Sequence, residues 1–282
     1  YALSKKNERL YPVLNKKSSI GVFDSGIGGL TVLREITKIL PNENTVYLGD
    51  TARVPYGSKS KETIERYSFE IAAFLLKHDI KILVAACNTA SAFAVPKLKT
   101  GLSIPVTGVI EPGARAAADA TKAGKIGVIG TEGTIKSNAY TAAIKAVKPG
   151  AEVFAQACPL FVPLVEEGWA EDEVTAIIAQ RYLAGFQDAG IDTLVLGCTH
   201  YPLLKDTIAS VMGEEVALID SAASTAVEVK KILEEKGLLN DASGRGSHKF
   251  FVTDSPERFM TVGRRFFGEK LDYAELATLT EN

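Results

Sequence analysis

The chain predicts an α/β fold of two pseudo-symmetric domains, each a mainly parallel sheet covered by helices, with an active site in the cleft between them. Three observations carry this. Short Val/Ile-rich runs, apolar on both faces, alternate with longer helical stretches, the pattern of parallel strands buried under helices. Two strand-end motifs each hold a cysteine: Cys87 in AACNTAS (85–91) and Cys198 in LGCTHYP (196–202). Each motif follows, at similar distance, a strand pattern that runs into a small-residue turn, IGVFDSGIGG (20–29) and IGVIGTEGT (126–134). Such internal similarity implies two units of one design.

In chain order the first unit opens with strand 20–24, closed by the glycines of its turn, and helix 30–40. Strand 45–48, helix 61–77, strand 80–86, helix 91–99 and strand 106–109 complete it. Turn formers gather over 104–113, so the break between units falls near Glu111 and Pro112. The second unit runs through helix 112–122, strand 126–129, helix 135–147, strand 152–157, helix 172–189, strand 193–196, helix 202–212 and strand 216–219. Helix 222–236, strand 249–252 and helix 256–267 follow without a third cysteine motif, and this remainder is assigned back to the first domain. The expected division is a polar, basic tail over 1–19, a discontinuous first domain of 20–110 and 221–282, and a second domain of 111–220. In such sheets ligands gather beyond the carboxyl ends of the strands. Asp24, Asp50, Cys87, Thr131 and Cys198 all fall there.

Composition narrows the function. The chain has 282 residues, 46% of them apolar, with 32 basic against 34 acidic side chains and a net charge of −2. Neither nucleic acid nor an anionic membrane suits so balanced a charge, and a small-molecule partner is expected. No apolar run approaches the roughly 18 residues of a membrane span, and no signal-peptide stretch is seen, so the expected location is the cytoplasm. Three cysteines give no disulfide framework, and reduced thiols fit that compartment.

A thiol acts as a base only when ionised, from a reference pKa near roughly 8.5, and both cysteines stand at strand-to-helix turns where backbone N–H groups favour an anion. A lone buried cysteine is usually packing, which is the reading for Cys158 in Ala-Cys-Pro. A mirrored pair points to chemistry instead. His200, two residues after Cys198, is placed to assist that thiol or bind a carboxylate, whereas His78 ends an amphipathic helix and His248 follows a Gly/Ser-rich stretch. Zinc is not implied, because no Cys-x-x-Cys or His-x-x-x-His spacing occurs. The DSGIGG turn resembles a phosphate loop but lacks Gly-Lys-Ser/Thr, which leaves that signal weak by itself, and its glycines read equally well as turn formers. Asp24 in that turn can accept or relay a proton beside Cys87. Asp50, Tyr56 and Gly57 belong to GDTARVPYG, read as a polar, exposed loop after a strand, with Lys59 and Lys61 on a solvated face.

From Ile20 to about Phe267 the sequence resembles the glutamate racemases. The resemblance is carried by FDSGIGGLTV (23–32), VPYG (54–57), ACNTAS (86–91), CPLFVPLVEEG (158–168) and LGCTHYPLL (196–204). It implies a cofactor-independent, metal-free isomerase that interconverts L- and D-glutamate and supplies D-glutamate for peptidoglycan synthesis, hence for cell wall and cell shape. Cys87 and Cys198 would be its acid/base pair. The motif matches imply substrate contacts by Asp24, Ser25, Tyr56, Gly57, Asn88, Thr89, Thr199 and His200, further contacts by Thr131 and Thr134, and supporting roles for Asp50 and Glu166. Cys87 would act on D-glutamate with help from Asp24, and Cys198 on L-glutamate with help from His200. The chemistry agrees, since inverting an α-carbon takes one proton from one face and returns another to the opposite face. With no cofactor to hold the charge, Asn, Thr and backbone N–H donors must do so in a closed, dry cleft. Related two-cysteine enzymes acting on aspartate, hydantoins or maleate stay open as alternatives. So does a two-lobed binding protein, although binding alone needs no thiols. A homodimer is left open by the sequence.

Overall fold

Every predicted strand is found within one residue of its expected bounds in the computed structural model, which describes residues 15–269 and 271–279. In chain order the strands are β1 (Ser19–Asp24), β2 (Thr45–Gly49), β3 (Ile80–Ala85), β4 (Val106–Gly108), β5 (Lys125–Gly130), β6 (Glu152–Ala157), β7 (Thr193–Gly197), β8 (Ala217–Asp220), β9 (His248–Val252) and β10 (Glu275–Leu276). They form two wholly parallel sheets, ordered β10-β9-β2-β1-β3-β4 and β6-β5-β7-β8. The run β2-β1-β3-β4 has the same order as β6-β5-β7-β8, so β1 corresponds to β5 and β3 to β7. The two cysteine-bearing strands occupy the same place in their sheets. Most of the predicted tail, residues 1–14, lies outside the described residues, while Ser19 already belongs to β1.

Burial explains the unbroken apolar runs. All residues of β2, β3 and β7 are buried, and all but the first of β1 and β5. Each fully buried Val, Ile or Leu stabilises the fold by about 1.5–3 kcal/mol before entropy is counted. Lys81 in β3 is a buried lysine among these apolar runs, with no solvent exposure. Its Nζ donates to the carbonyl of Leu238 at 2.9 Å and to that of Lys16, and pairs with the Glu43 carboxylate. A buried charge persists only when paired and hydrogen-bonded in this way. It ties the segments at Lys16, Glu43 and Leu238 to the foot of the first sheet, away from the strand ends that carry the cysteines.

The helices are α1 (Leu30–Ile39), α2 (Lys61–Leu76), α3 (Asn88–Phe93), α4 (Val95–Gly101), α5 (Ile110–Ala120), α6 (Glu132–Lys136), α7 (Ala139–Val147), α8 (Phe161–Glu167), α9 (Glu173–Ala189), α10 (Lys205–Met212), α11 (Ser221–Glu235) and α12 (Pro256–Phe267). Three predicted helices differ. The stretch 91–99 is two helices beginning at Asn88, because Pro96 lacks an N–H and its ring crowds the carbonyl of Ala92, so the chain restarts at Val95. The stretch 135–147 is also two, divided at Asn138 in the left-handed region (φ 57°). The stretch 202–212 opens with a 3-10 turn over Tyr201–Leu204 before α10. Helix α8 was not predicted. Its Pro163 is tolerated because it stands in the first turn, where no N–H has an intrahelical acceptor, and Gly168 (φ 84°) ends it. Among the described residues no helix is long and apolar enough to cross a membrane.

Candidate active site

The carboxyl ends of both sheets open onto one cavity of about 470 Å³. One wall comes from the first sheet, with Ser25 and Gly26 after β1, the segment 54–58 after β2, and Cys87, Asn88 and Thr89 after β3. The other comes from the second sheet, with Thr131 and Glu132 after β5, Pro159, Val162, Pro163 and Glu166 after β6, and Cys198, Thr199 and His200 after β7. The repeat in topology thus delivers one thiol to each wall. All three cysteines are free.

Cys87 is the residue immediately before α3. Burial pushes its thiol up to about 12, and the nearby Asp24 carboxylate adds to this, while the Ala90 N–H and the Ser25 hydroxyl oppose it. The group is thus a proton donor at neutral pH unless a neighbour takes its proton. Asp24 is fully buried at the end of β1, where Oδ2 accepts the Gly26 N–H at 2.9 Å and Oδ1 is buried without a protein partner. Burial raises its pKa, against the charge of His200 and the surrounding N–H groups.

The 50–57 loop is exposed as predicted at Ala52, Val54 and Pro55 but not at its two functional candidates. Asp50 is fully buried and Tyr56 only 1% exposed. The Asp50 carboxylate accepts from Arg53 Nε, from Thr253 Oγ1 at 2.9 Å and from the Tyr56 hydroxyl. Arg53 also pairs with Glu70 and lies 3.9 Å above the Tyr67 ring. These bonds offset the cost of burying the carboxylate, and they fix the loop whose Tyr56 and Gly57 line the cavity.

On the opposite wall, His200 Nδ1 lies 3.9 Å from Cys198 Sγ, and Nε2 lies 3.0 Å from Glu166 Oε1 at the end of α8. Burial works against a charged ring, but the bonds to Cys198 and Glu166 outweigh it and raise the His200 pKa to about 10. The same bond holds the Glu166 carboxyl below its ordinary range, with Arg258 of α12 assisting at 3.6 Å. The His200 ring stands edge-on to Phe266 of α12, with centroids 5.2 Å apart.

Hydroxyls close the space between the walls. Thr89 Oγ1 lies 2.9 Å from Thr131 Oγ1 and 3.1 Å from Thr134 Oγ1, and those two are 3.1 Å apart. The Tyr140 hydroxyl donates to Asn88 Oδ1 at 2.7 Å. Two thiols on opposing walls, one beside an imidazolium and the other beside a carboxyl, with hydroxyl and amide donors around them, are equipped to move protons at a carbon held between them.

Of the residues singled out in the sequence, Ser25, Tyr56, Gly57, Cys87, Asn88, Thr89, Thr131, Glu166, Cys198, Thr199 and His200 line this cavity. Asp24, Asp50 and Thr134 do not line it and stand behind its surface, each joined to a lining residue as described. Gly26, Val54, Pro55, Ser58, Glu132, Pro159, Val162 and Pro163 line it without having been singled out. Several lie inside the quoted motifs VPYG and CPLFVPLVEEG, so position was available as a signal, but apolar side chains carry no chemical one. Cys158 is fully buried in the core, as its sequence context suggested. Among the described residues no group of three or more His, Cys, Asp or Glu side chains is arranged to hold a metal ion.

Residues 20–229 match the sequence pattern of the Asp/Glu/Hydantoin racemase family. A glutamate racemase of Geobacter metallireducens is 61% identical over 253 residues, spanning 90% of this chain and 94% of that protein. The crystal structure of the glutamate racemase isoform RacE1 from Bacillus anthracis superposes with a TM-score of 0.91 at 44% identity, over 94% of this chain and 99% of that one. A glutamate racemase of Francisella tularensis, solved in complex with D-glutamate, gives 0.88 at 39% identity, over 94% and 98%.

Proposed function

The chain belongs to the Asp/Glu/Hydantoin racemase family, and on that premise we propose that it interconverts L- and D-glutamate, without a cofactor, by proton transfer between two thiols. With L-glutamate bound, the Cys198 thiolate takes the α-proton from one face and the Cys87 thiol gives its proton to the other. The product is D-glutamate, with Cys198 now protonated and Cys87 ionised. The reverse direction exchanges the roles. His200 supports the Cys198 thiolate and Asp24 serves the proton on Cys87. The remaining donors hold the substrate carboxylates and the charge that builds up as the Cα–H bond breaks. Residues 20–110 with 221–282 and residues 111–220 act as two domains that close on the substrate. D-glutamate made in the cytoplasm would supply peptidoglycan synthesis.

One observation carries this reading: Cys87 and Cys198 line a single cavity from corresponding strand ends of two different sheets. The test is loss of optical rotation from pure L- or D-glutamate, with aspartate as the competing substrate. Cys87→Ser and Cys198→Ser should each lose activity by about 10²–10⁴-fold or more, the range of a general acid/base. Cys158→Ala should retain activity. Full activity in either serine variant would rule out the two-thiol mechanism, and preferential turnover of aspartate would replace glutamate as the substrate.

A further inference from the structure

The Asn88 amide is bonded at one end only. It belongs to the residue directly after Cys87, is 3% exposed and lines the cavity. Its Oδ1 accepts from the Tyr140 hydroxyl at 2.7 Å, while Nδ2, with two hydrogens to donate, is buried without a protein partner. A buried donor left open in this way is costly unless a ligand meets it. Tyr140 comes from α7 on the opposite half, and its placement is tight. A Cβ at Gly113 would come within 3.3 Å of its hydroxyl, and one at Gly197, the residue before Cys198, within 3.1 Å of its ring. One ring therefore packs on the turn that bears the second thiol and bonds the residue that follows the first.

The direction of the hydrogen bond decides which way the amide faces. Burial pushes the phenol pKa up, with Ser221 beside it opposing, so the hydroxyl keeps its proton as a donor. The phenol proton goes to Asn88 Oδ1, and the amide nitrogen is left for the other side.

We propose that Tyr140 is a positioning residue that holds the Asn88 amide with Nδ2 turned into the cavity, where it donates to the substrate α-carboxylate as the Cα–H bond breaks. The proposal rests on the proton-transfer reading above. Charge passes from Cα into that carboxylate during the step, so the donor matters more to the transition state than to the bound ground state.

The experiment is a double-mutant cycle on glutamate racemization, with melting curves on every variant. Tyr140→Phe should lower kcat by about 10- to 100-fold, at or below the loss of about 10²–10³-fold for removing one oxyanion donor, because the donor is misplaced and not removed, and change KM by no more than about twofold. In an Asn88→Ala background Tyr140→Phe should cost nothing further, because a residue that acts through Asn88 has nothing left to orient. Ser221→Ala should give a smaller loss of kcat that also vanishes in the Asn88→Ala background, and it serves if Tyr140→Phe does not fold. Equal losses with and without Asn88, or an unchanged kcat in both variants, would overturn the role of Tyr140 alone. A wild-type protein that does not racemize glutamate would instead overturn the reading beneath it, and the proposal with it.

Discussion

At His200 two effects of opposite sign meet. Burial disfavours the charged ring, whereas the bonds to Cys198 and Glu166 favour it and prevail, lifting the pKa from 6.5 to about 10. The ring then keeps its proton across the neutral range, where an unperturbed histidine would lose it. Glu166→Gln removes the carboxylate that helps hold that proton. The basic limb of the kcat/KM profile should therefore move to lower pH, by about 1–3 units for the loss of one close opposite charge. Stability carries the same sign. A group with a raised folded pKa contributes fully below its unfolded value near 6.5 and loses the contribution as pH climbs through about 10. Melting temperature should fall across that window in the wild type and fall less in Glu166→Gln. An unmoved basic limb would detach Glu166 from the ring's protonation. That Cys87, Cys198 and His200 meet at one cavity was legible in the sequence, because reactive side chains stand at corresponding places in matched motifs. The burial of Asp50 was not, since its partners Arg53, Tyr56 and Thr253 form a hub only after β9 has packed beside β2.

Elements read from periodicity were found where the periodicity was long. Helix α12 matches its expected bounds, whereas the seven-residue α8, with a proline inside it, and the two-residue β10 leave too little pattern to recognise. The turn between β1 and α1 shows a different limit. Its glycines read as turn formers, yet Gly28 has a second reason to lack a side chain. A Cβ there would stand 2.2 Å from Thr199 Oγ1 and 2.5 Å from His200 Nδ1. Thr31 Oγ1 reaches the Thr199 carbonyl at 3.3 Å from the same turn. No local pattern can show this, because the constraint comes from a segment far along the chain. Gly28→Ala should displace His200 and cost about 10²-fold in kcat/KM, as small misplacements of catalytic groups do, together with about 1–3 kcal/mol of stability from overpacking. Gly185 of α9 is exposed and has open space around its Cα, so Gly185→Ala should raise stability by about 0.5–1 kcal/mol without touching activity. Comparable activity in both variants would show that the turn has room to yield.

The whole molecule repeats one sheet order twice and brings the two copies together at their carboxyl ends. Two related halves meeting at their strand ends, though not the strand order, followed from two cysteine motifs and two strand-to-turn patterns. The contacts that join the halves did not, because Thr89 with Thr131, Asn88 with Tyr140 and Glu166 with Arg258 pair residues whose partners no spacing rule specifies. An arrangement with one thiol on each wall makes a directional prediction. On the two-thiol reading proposed above, the proton returned to Cα comes from an enzyme thiol that exchanges with solvent between turnovers. In D₂O, product of either hand should carry deuterium at Cα from the first turnovers, while unreacted substrate carries little. The helpers should divide in the same way, His200 with Cys198 and Asp24 with Cys87. A catalyst cannot shift the equilibrium, so either helper's loss must lower forward and reverse kcat/KM together. Asymmetry can then appear only in kcat, KM and the isotope effects of each direction. With α-deuterated substrates, His200→Asn should enlarge the primary isotope effect most from L-glutamate, and Asp24→Asn most from D-glutamate, as each proton transfer becomes slower relative to binding and release. Equal enlargement in both directions for both variants would leave His200 and Asp24 as groups that orient the substrate, and product that retained the substrate's own hydrogen would reduce two bases to one.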